Sequence, residues 1–442
     1  MPALEPGTET ADLFSAEARG PFPFLLEGEG WGGPALLGSD PYAVLAARGN
    51  LLSLWREGRE ETFRGNPFDV LEDLLRESRA PNESGLPFCG GAVGAFGYDL
   101  GSHLERLPRR AVDDLGFPDL LVGFYDRLTL VDRGSGAIRR VELPGRRPGR
   151  AVPPGTYPEI FAGGRGNAPR GPNFTRERYL EAIARAKRYI AAGDIYQVNL
   201  SQRFHARLGD PPLEVYRRLR AATPAPFAAL LQFGRYAILS ASPEQFLELR
   251  GRLLRTRPIK GTRPRGAGPE EDERLRRELL SSPKDDAELA MIVDLERNDL
   301  GRVCACGSVK VTAPKELETH PTVHHLVATV EGRLRDGLGP VDVLRATFPG
   351  GSVTGAPKIR AMEIIDELEP TRRAFYTGAI GYLGADGSMN LSVAIRIVQR
   401  AGPDHYFQAG GGIVADSDPA AEYEETLVKA SALARALGVP LP

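Results

Sequence analysis

Leu37 to Leu52 reads LGSDPYAVLAARGNLL and aligns without gaps on Leu239 to Leu254, which reads LSASPEQFLELRGRLL. The two stretches share the proline, a central leucine, the Arg-Gly pair and the two leucines that follow. A second pair comes later in the same order, Gly91 to Asp99 (GAVGAFGYD) and Gly378 to Asp386 (GAIGYLGAD). Each stretch predicts a strand, a glycine-containing turn and another strand. The repeat therefore predicts a duplicated sheet unit, packed face to face as a sandwich.

The second copy carries a long insertion between its two matching stretches, and this insertion has helical patterns. Helices are predicted around Asp286 to Leu300 and from about Ala356 to Glu367. Another helix, Thr175 to Ala192, precedes the second copy, with Thr175 as its cap and Gly193 as its end. The fold class is therefore predicted to be α+β, with helices clustered on one part of a sandwich.

A Pro-, Gly- and Arg-rich stretch without hydrophobic periodicity interrupts the chain between the two halves. This composition is typical of a surface linker. We predict a strand-rich, non-catalytic N-terminal subdomain at 1–145, a linker at 146–172 and a catalytic subdomain at 173–442.

Composition excludes several classes of protein. The chain has 442 residues, 42% of them hydrophobic and 26% charged, which is ordinary for a globular protein. A formal net charge of -2 argues against a nucleic-acid partner. No apolar run approaches the roughly 18 residues of a membrane span, and the acidic start of the chain resembles neither a signal nor a transit peptide. We expect a cytoplasmic protein without a membrane partner.

Two acidic helices are candidates for a metal site. After Pro419, Glu422, Glu425 and Lys429 fall on one helical face, directly after three glycines that allow a ligand to approach the backbone. A solvated Glu–Lys pair is the alternative interpretation. Asp285, Glu288 and the run DLERNDLGR could supply more carboxylates, and Mg²⁺ uses a few carboxylates when substrate and water complete its shell. Plain surface charge is again the alternative.

An anion site is predicted in the glycine-rich segment PGGSVTGAPK, Pro349 to Lys358, which runs into a helix. Free amide groups there would hold a carboxylate or phosphate. A capped helix start without a ligand is the alternative.

Together these stretches resemble the chorismate-utilising enzymes, which include anthranilate, aminodeoxychorismate, isochorismate and salicylate synthases. The resemblance is carried by YQVNLSQRF (Tyr196 to Phe204), SASPEQF, RPIKGTRPRG, ELAMIVDLERNDLGRV, HPTVHHLV, GGSVTGAPKIRAMEIIDELEP, TGAIGY, VAIRI and QAGGGIVADSDPAAEYEET. It implies an anthranilate-synthase-like fold, with two large antiparallel sheets packed as a sandwich and helices clustered at the active site. It also implies chorismate as the substrate.

The resemblance assigns the metal site and the general acid. Glu288 and Glu425 would be the central Mg²⁺ ligands, with Glu422 and Asp285 beside them, and the metal would bind the ring carboxylate. Glu244 would protonate the departing 4-hydroxyl, a task that suits a carboxyl group with a raised pKa.

The resemblance also assigns the remaining substrate contacts. Arg396, Tyr376 and the amides near Gly411 and Gly412 would hold the enolpyruvyl carboxylate, and Lys429 would add positive charge. Ser352 and Thr354 would line the same pocket. His325 matches a histidine linked with pyruvate loss in anthranilate synthase but recurs across the family. Gln197 stands where water-using members carry a lysine, which argues against water as the nucleophile.

Lys260 in PIKGT separates the possible reactions. Members that aminate chorismate at C4 use a lysine here as a nucleophile on C2, whereas anthranilate synthases resemble PIAGT. Arg257 and Arg263 are candidates for lowering its pKa. The resemblance thus implies formation of 4-amino-4-deoxychorismate, on the route to 4-aminobenzoate and folate. Two alternatives are anthranilate synthase component I and a non-catalytic assembly subunit.

The nitrogen source is expected to lie on another protein. The chain has no G-x-C-x-G nucleophile elbow of a glutaminase, so ammonia would come from a separate glutamine amidotransferase subunit.

Overall fold

A computed structural model describes residues 9–143 and 171–442 of the chain. All strands of these ranges belong to two antiparallel sheets. The ten-stranded sheet has the order β18 (Gly355–Ala356), β10 (Gln197–Arg207), β22 (Asp404–Ile413), β21 (Ile397–Ala401), β12 (Tyr236–Ser242), β11 (Phe227–Phe233), β1 (Phe24–Glu27), β2 (Ala35–Gly38), β8 (Arg127–Val131) and β9 (Ile138–Glu142).

The twelve-stranded sheet forms the second layer. Its order is β15 (Ile259–Pro264), β17 (Val323–Arg333), β14 (Leu253–Arg257), β13 (Gln245–Arg250), β20 (Met389–Val393), β19 (Ala379–Gly384), β6 (Gly91–Phe96), β7 (Leu120–Tyr125), β3 (Ala43–Arg48), β4 (Leu51–Arg56) and β5 (Arg59–Arg64), and β16 (Lys310–Thr319) also pairs with β17.

Nine α-helices are present in the described ranges. They are α1 (Thr10–Glu17), α2 (Pro67–Glu77), α3 (Arg176–Ala191), α4 (Pro212–Ala222), α5 (Pro269–Leu280), α6 (Pro283–Gly301), α7 (Pro340–Thr347), α8 (Lys358–Leu368) and α9 (Pro419–Leu437). Apolar faces of α2, α6 and α7 pack on the twelve-stranded sheet. Those of α3, α4, α8 and α9 pack on the ten-stranded sheet. The predicted α+β sandwich is confirmed.

The sequence repeat is visible in the strand order. β2 and β12 lie in the ten-stranded sheet, and after the aligned prolines the chain crosses to β3 and β13 in the other sheet. At the centre of the twelve-stranded sheet, β6 pairs antiparallel with β19, with Gly91 opposite Gly384. Strands β7, β3 and β4 then follow on one side, as β20, β13 and β14 do on the other. The duplication is confirmed, and each copy contributes strands to both layers because its chain changes sheet at the proline corner.

An aromatic core joins the two layers. The Trp31 indole is fully buried between them and donates its Nε1–H to the carbonyl of Ala228, at 2.9 Å. Its ring meets Phe227 edge-on, with 5.0 Å between centroids. A Cβ at Gly381 would lie 2.9 Å from the indole, so glycine is needed at this close approach. This packing fixes how the sheets face each other and thereby positions the residues at their ends.

The structure tests where two of the predicted helices begin. α3 begins as predicted, because the Thr175 hydroxyl accepts a hydrogen bond from the Arg178 amide, at 3.3 Å. α8 begins at Lys358, two residues later than predicted. Gly355 and Ala356 instead pair with Val198 and Gln197 in the ten-stranded sheet, and a residue with extended backbone cannot also be helical.

The predicted subdomain boundaries at 145 and 172 stay predictions. Most of the predicted linker, 146–170, lies outside the described residues, as do the first eight residues of the chain. Within the described ranges, no helix combines the length and the apolar character that crossing a membrane requires.

Candidate active site

Lys260 lies among four charged side chains, which range from the buried Glu244 to the exposed Glu425 and Lys429. Its Nζ donates a hydrogen bond to the carbonyl of Ser352, at 3.2 Å. Four charged groups interact with this ammonium electrostatically, namely Glu288, Glu244, Lys429 and Glu425. They come from α6, from the corner before β13 and from α9. The fold therefore brings together residues that the sequence places up to 185 positions apart, from Glu244 to Lys429.

Burial lowers the pKa of Lys260, and the positive charge of Lys429 lowers it further, while Glu288 and Glu244 oppose the change. Arg257 and Arg263 do not have the effect that we expected from their position in the sequence. Arg257 is paired with Glu318 at 2.5 Å, and Arg263 with Glu278 at 2.8 Å. Their charges are neutralised locally. A lysine with a lowered pKa is more often the free amine that can act as a nucleophile.

Glu244 occupies the proline corner between β12 and β13. Its backbone carbonyl accepts a hydrogen bond from the Val393 amide at 3.0 Å, and its own amide is within 3.3 Å of the Ser242 hydroxyl. Burial raises the pKa of Glu244, with a hydrogen bond from the Ser352 side chain and the charge of Lys260 acting against it. Such a carboxyl group keeps its proton to a higher pH than an exposed one, as a general acid requires.

Three carboxylates form an acidic cluster on two facing helices, α6 and α9. Burial raises the pKa of Glu288, and the neighbouring Asp285 and Glu425 raise it further. Burial also raises the pKa of Glu422, whose carboxylate accepts a hydrogen bond from Ser417 at 2.7 Å. For Glu425 burial acts in the same direction but is outweighed by Lys429, 2.7 Å away, so the pKa of this carboxyl is lowered.

The mutual repulsion in this cluster fits a site for a cation. No three Asp, Glu, His or Cys side chains of the described ranges converge closely enough to hold a metal ion by themselves. Asp285 is turned toward Arg263, at 3.3 Å, which leaves Glu288 and Glu425 as the central pair with Glu422 beside them. One or two carboxylates, completed by water and substrate oxygens, are the usual protein contribution to Mg²⁺.

Arg396 provides a buried positive charge. Its backbone has a φ of 51°, in the left-handed region that non-glycine residues seldom adopt. Burial lowers its pKa, and in the part of the chain that the structure describes no carboxylate lies within 4 Å of its guanidinium, whose one recorded contact is Thr223 at 3.5 Å. A buried guanidinium without a counterion fits a carboxylate ligand.

His325 lies beside Arg396 and is uncharged. Its Nδ1 is 2.9 Å from the Thr262 hydroxyl, and its buried Nε2 has no hydrogen-bond partner in the described ranges. Burial lowers the pKa of His325 to about 3, helped by the charges of Arg396 and His320. A neutral imidazole can donate or accept one proton at this nitrogen without adding charge to the pocket.

The glycines before α9 leave room beside the strand. A Cβ at Gly412 would come within 2.0 Å of Gln197 Nε2, and one at Gly411 would lie 3.0 Å from the Glu422 carboxylate. The carbonyl of Gly410 accepts a hydrogen bond from Lys429 Nζ at 3.0 Å. Gln197 is buried, and its Oε1 has no partner among residues 9–143 and 171–442. These glycines therefore let polar side chains meet the β22 backbone directly.

Two residues predicted to contact the substrate, Thr354 and Tyr376, make contacts within the protein. The Thr354 hydroxyl donates to the Gly350 carbonyl at 2.9 Å and so stabilises its own turn. Tyr376 is buried beside Arg373. The guanidinium carbon of Arg373 lies 6.0 Å from the centroid of the Tyr376 ring. The amide of Gly351, in the glycine-rich segment predicted to bind an anion, instead donates to a carboxyl oxygen of Glu296 at 3.3 Å. That amide is not free for a ligand, contrary to our expectation.

A buried ion pair supports the site and was missing from the sequence interpretation. Arg373 is 1% exposed and contacts both carboxylate oxygens of Glu369, at 2.7 and 2.9 Å. It also donates to the carbonyls of Val353, at 3.0 Å, and Asn199, at 2.6 Å. The sequence offered no helical signal for this pair, because α8 ends at Leu368 and Pro370 lies between the two residues. Burial is what makes the pair structural.

Arg373→Met should lower the free energy of unfolding by about 3–5 kcal/mol, because it leaves the buried Glu369 carboxylate without its partner. Urea unfolding measures the change, with Arg277→Met as the control at an exposed arginine. Combining Arg373→Met with Glu369→Leu should recover part of the loss. A single variant as stable as the control would contradict a supporting role for this pair.

The fold and the site define the class of protein, an α+β sandwich enzyme with a group of charged side chains suited to a small carboxylate substrate. The family described as chorismate binding enzyme matches residues 23–435, and the chain belongs to this family. The sequence-based assignment to the chorismate-utilising enzymes is thereby confirmed.

Relatives with two different names resemble the chain. Aminodeoxychorismate synthase component 1 of Klebsiella aerogenes is 44% identical over 400 residues, which cover 88% of this chain and 87% of that protein. Anthranilate synthase component 1 of Thermus thermophilus is 47% identical over 384 residues, covering 84% and 82%. The crystal structure of anthranilate synthase component I from Streptococcus pneumoniae TIGR4 superposes with a TM-score of 0.77 and 32% identity, covering 94% of this chain and 93% of that one.

Proposed function

We propose that this enzyme aminates chorismate at C4 to give 4-amino-4-deoxychorismate, for 4-aminobenzoate and folate biosynthesis. The observation that carries the proposal is the buried amine of Lys260, with its lowered pKa, close to the protonatable carboxyl group of Glu244. A relative that is 44% identical carries the name aminodeoxychorismate synthase component 1, which supports this choice among the reactions of the family.

The reaction then proceeds in two displacements. The free amine of Lys260 bonds to C2, the two ring double bonds shift, and the C4–O bond breaks while Glu244 gives its proton to the departing hydroxyl, which leaves as water. Ammonia next bonds to C4, the double bonds shift back, Lys260 leaves C2 as an amine, and the new C4 nitrogen returns a proton to the Glu244 carboxylate. The sum is chorismate plus ammonia to 4-amino-4-deoxychorismate plus water.

The substrate would be held by its two carboxylates. Arg396, Tyr376 and the backbone near Gly411 would bind the enolpyruvyl carboxylate. Mg²⁺, held chiefly by Glu288 and Glu425, would supply positive charge for the ring carboxylate. Binding at both ends places C2 and C4 against the catalytic groups, which is the orientation that a displacement needs.

Anthranilate synthesis is the second candidate, because a relative with that name is 47% identical to the chain. Lys260 would then be a bystander and His325 would serve pyruvate loss. The two reactions give products of different mass, 4-amino-4-deoxychorismate or 2-aminobenzoate, so mass analysis of the product from chorismate, Mg²⁺ and an ammonium salt tests the proposal directly.

Ammonia supply gives a further prediction. With an ammonium salt at high pH, where ammonia is the abundant form, the purified chain should make product by itself. With glutamine it should need a second protein, as the name component 1 of its relatives also suggests. The check is product formation with each nitrogen source, using chorismate alone as the control. Glutamine-dependent turnover by the single chain would contradict a separate glutaminase.

A further inference from the structure

Ser352 makes two contacts in the site, and both depend on the position of one turn. Its side chain lowers the pKa of the Glu244 carboxyl group, against the effect of burial, and its carbonyl accepts a hydrogen bond from Lys260 Nζ at 3.2 Å. The turn that carries it, Gly351–Val353, is buried. A small movement of this turn would change the geometry of the general acid and of the nucleophile together.

Helix α6 holds this turn from behind. Glu296 is 2% exposed and accepts a hydrogen bond from the Gly351 amide at 3.3 Å. The approach is close, because a Cβ at Gly351 would lie 2.5 Å from Leu295 and 3.1 Å from the Glu296 carboxyl oxygen. Glycine is therefore required at 351 for the turn to reach the helix.

We propose that Glu296 is a positioning residue of the active site, acting through the Gly351 amide on both contacts of Ser352. The proposal extends the roles of Lys260 and Glu244 in the proposed function and rests on them. Glu296 does not belong to the acidic cluster, which lies nearer the start of α6. It interacts instead with Glu244, whose charge opposes its ionisation.

The surroundings of Glu296 favour its uncharged form. Burial raises its pKa to about 8, and the negative charge of Asp299 acts in the same direction. Lys358 lowers it only partly, because this lysine is paired with Asp299 and also donates to the Thr347 carbonyl at 2.7 Å. The second carboxyl oxygen of Glu296 has no partner in the described parts of the chain. Near pH 7 the side chain thus resembles a glutamine in shape and charge.

This resemblance makes a substitution test possible. Glu296→Gln keeps an acceptor for the Gly351 amide, whereas Glu296→Ala removes it. We expect Glu296→Gln to keep kcat within about twofold of the wild type. Glu296→Ala should lower kcat about tenfold, with a much smaller change in KM for chorismate, since the lost hydrogen bond positions the reacting groups. Asp294→Asn, at an exposed position on the same helix, is the control.

Stability provides a second measurement that does not depend on turnover. The ordinary glutamate pKa of 4.5 applies in the unfolded chain, so the folded protein binds one more proton between about pH 4.5 and 8. Wild-type stability should therefore fall as pH rises through this window, relative to Glu296→Gln. In urea unfolding the variant should have the higher midpoint at pH 8, and the difference should shrink toward pH 5.

Three outcomes would overturn the positioning role. They are an unchanged kcat in folded Glu296→Ala, an equal loss in Glu296→Gln and Glu296→Ala, and parallel stabilities of wild type and Glu296→Gln from pH 5 to 8. A failure of the proposed function can be distinguished from a failure of the positioning role. In that case wild type would release 2-aminobenzoate. The contrast between the two Glu296 variants is measured on either product.

Discussion

Lys260→Ala is expected to slow formation of 4-amino-4-deoxychorismate by at least about 10²-fold, the scale typical of losing one positioned catalytic group. The substitution removes the amine that bonds to C2 but leaves Arg396 and the acidic cluster in place. KM for chorismate should therefore change little while kcat falls. Steady-state kinetics with an ammonium salt measures both parameters, and Lys310→Ala, at an exposed lysine of β16, is the control.

A covalent adduct provides direct evidence for this nucleophile. Wild type incubated with chorismate in the absence of ammonia should gain mass on the peptide that contains Lys260, and Lys260→Ala should not. Because the amine must be uncharged to react, adduct formation should rise with pH, although the lowered pKa of Lys260 moves this rise below the range of an ordinary lysine. An unchanged rate in Lys260→Ala, or 2-aminobenzoate as the main wild-type product, would transfer the assignment to anthranilate synthase.

Glu425→Gln is expected to abolish activity without unfolding the protein. The side chain is 48% exposed, so its replacement removes little packing. The pair with Lys429 at the surface contributes at most about 1 kcal/mol. What is lost is one of the two central carboxylates proposed for Mg²⁺, and with it the binding of the ring carboxylate.

Turnover as a function of Mg²⁺ concentration measures this effect. Glu424→Gln, at the exposed neighbouring position, should behave as wild type. Circular dichroism and thermal unfolding verify that both variants are folded. Full activity of Glu425→Gln, or of wild type in excess chelator, would exclude the metal assignment.

Local features of the fold were predictable from the sequence. The Thr175 cap and the Gly193 end predicted α3, and the two pairs of matching stretches predicted the duplicated sandwich. Capping and hydrophobic periodicity depend on residues a few positions apart, so they can be recognised without knowing the tertiary structure. α8 was predicted two residues too early because Ala356 pairs with a distant strand.

The candidate site was predictable as a set of residues but not as an arrangement. Motifs in the sequence singled out Lys260, Glu244 and Glu425, and in the structure the charges of both glutamates act on the Lys260 ammonium. The family resemblance gave Glu288 the central role and Asp285 a neighbouring one, but only the structure shows that Glu288 interacts with Glu425 of α9 while Asp285 pairs with Arg263. Three positions along a helix separate them, and the packing of α6 against β15 and β17 decides their partners.

The sequence alone thus determined the fold class, the family and the candidate catalytic residues, since these follow from local patterns and motif order. Only the tertiary structure decided which charges are buried and which are neutralised. Glu296 shows the difference, because its sequence context, DLERNDLGR, is that of a solvated helix. The structure encloses Glu296 behind Gly351 and pairs the neighbouring Lys358 with Asp299. Burial and charge pairing depend on groups from distant parts of the chain, and these meet only after the sheets and helices have packed.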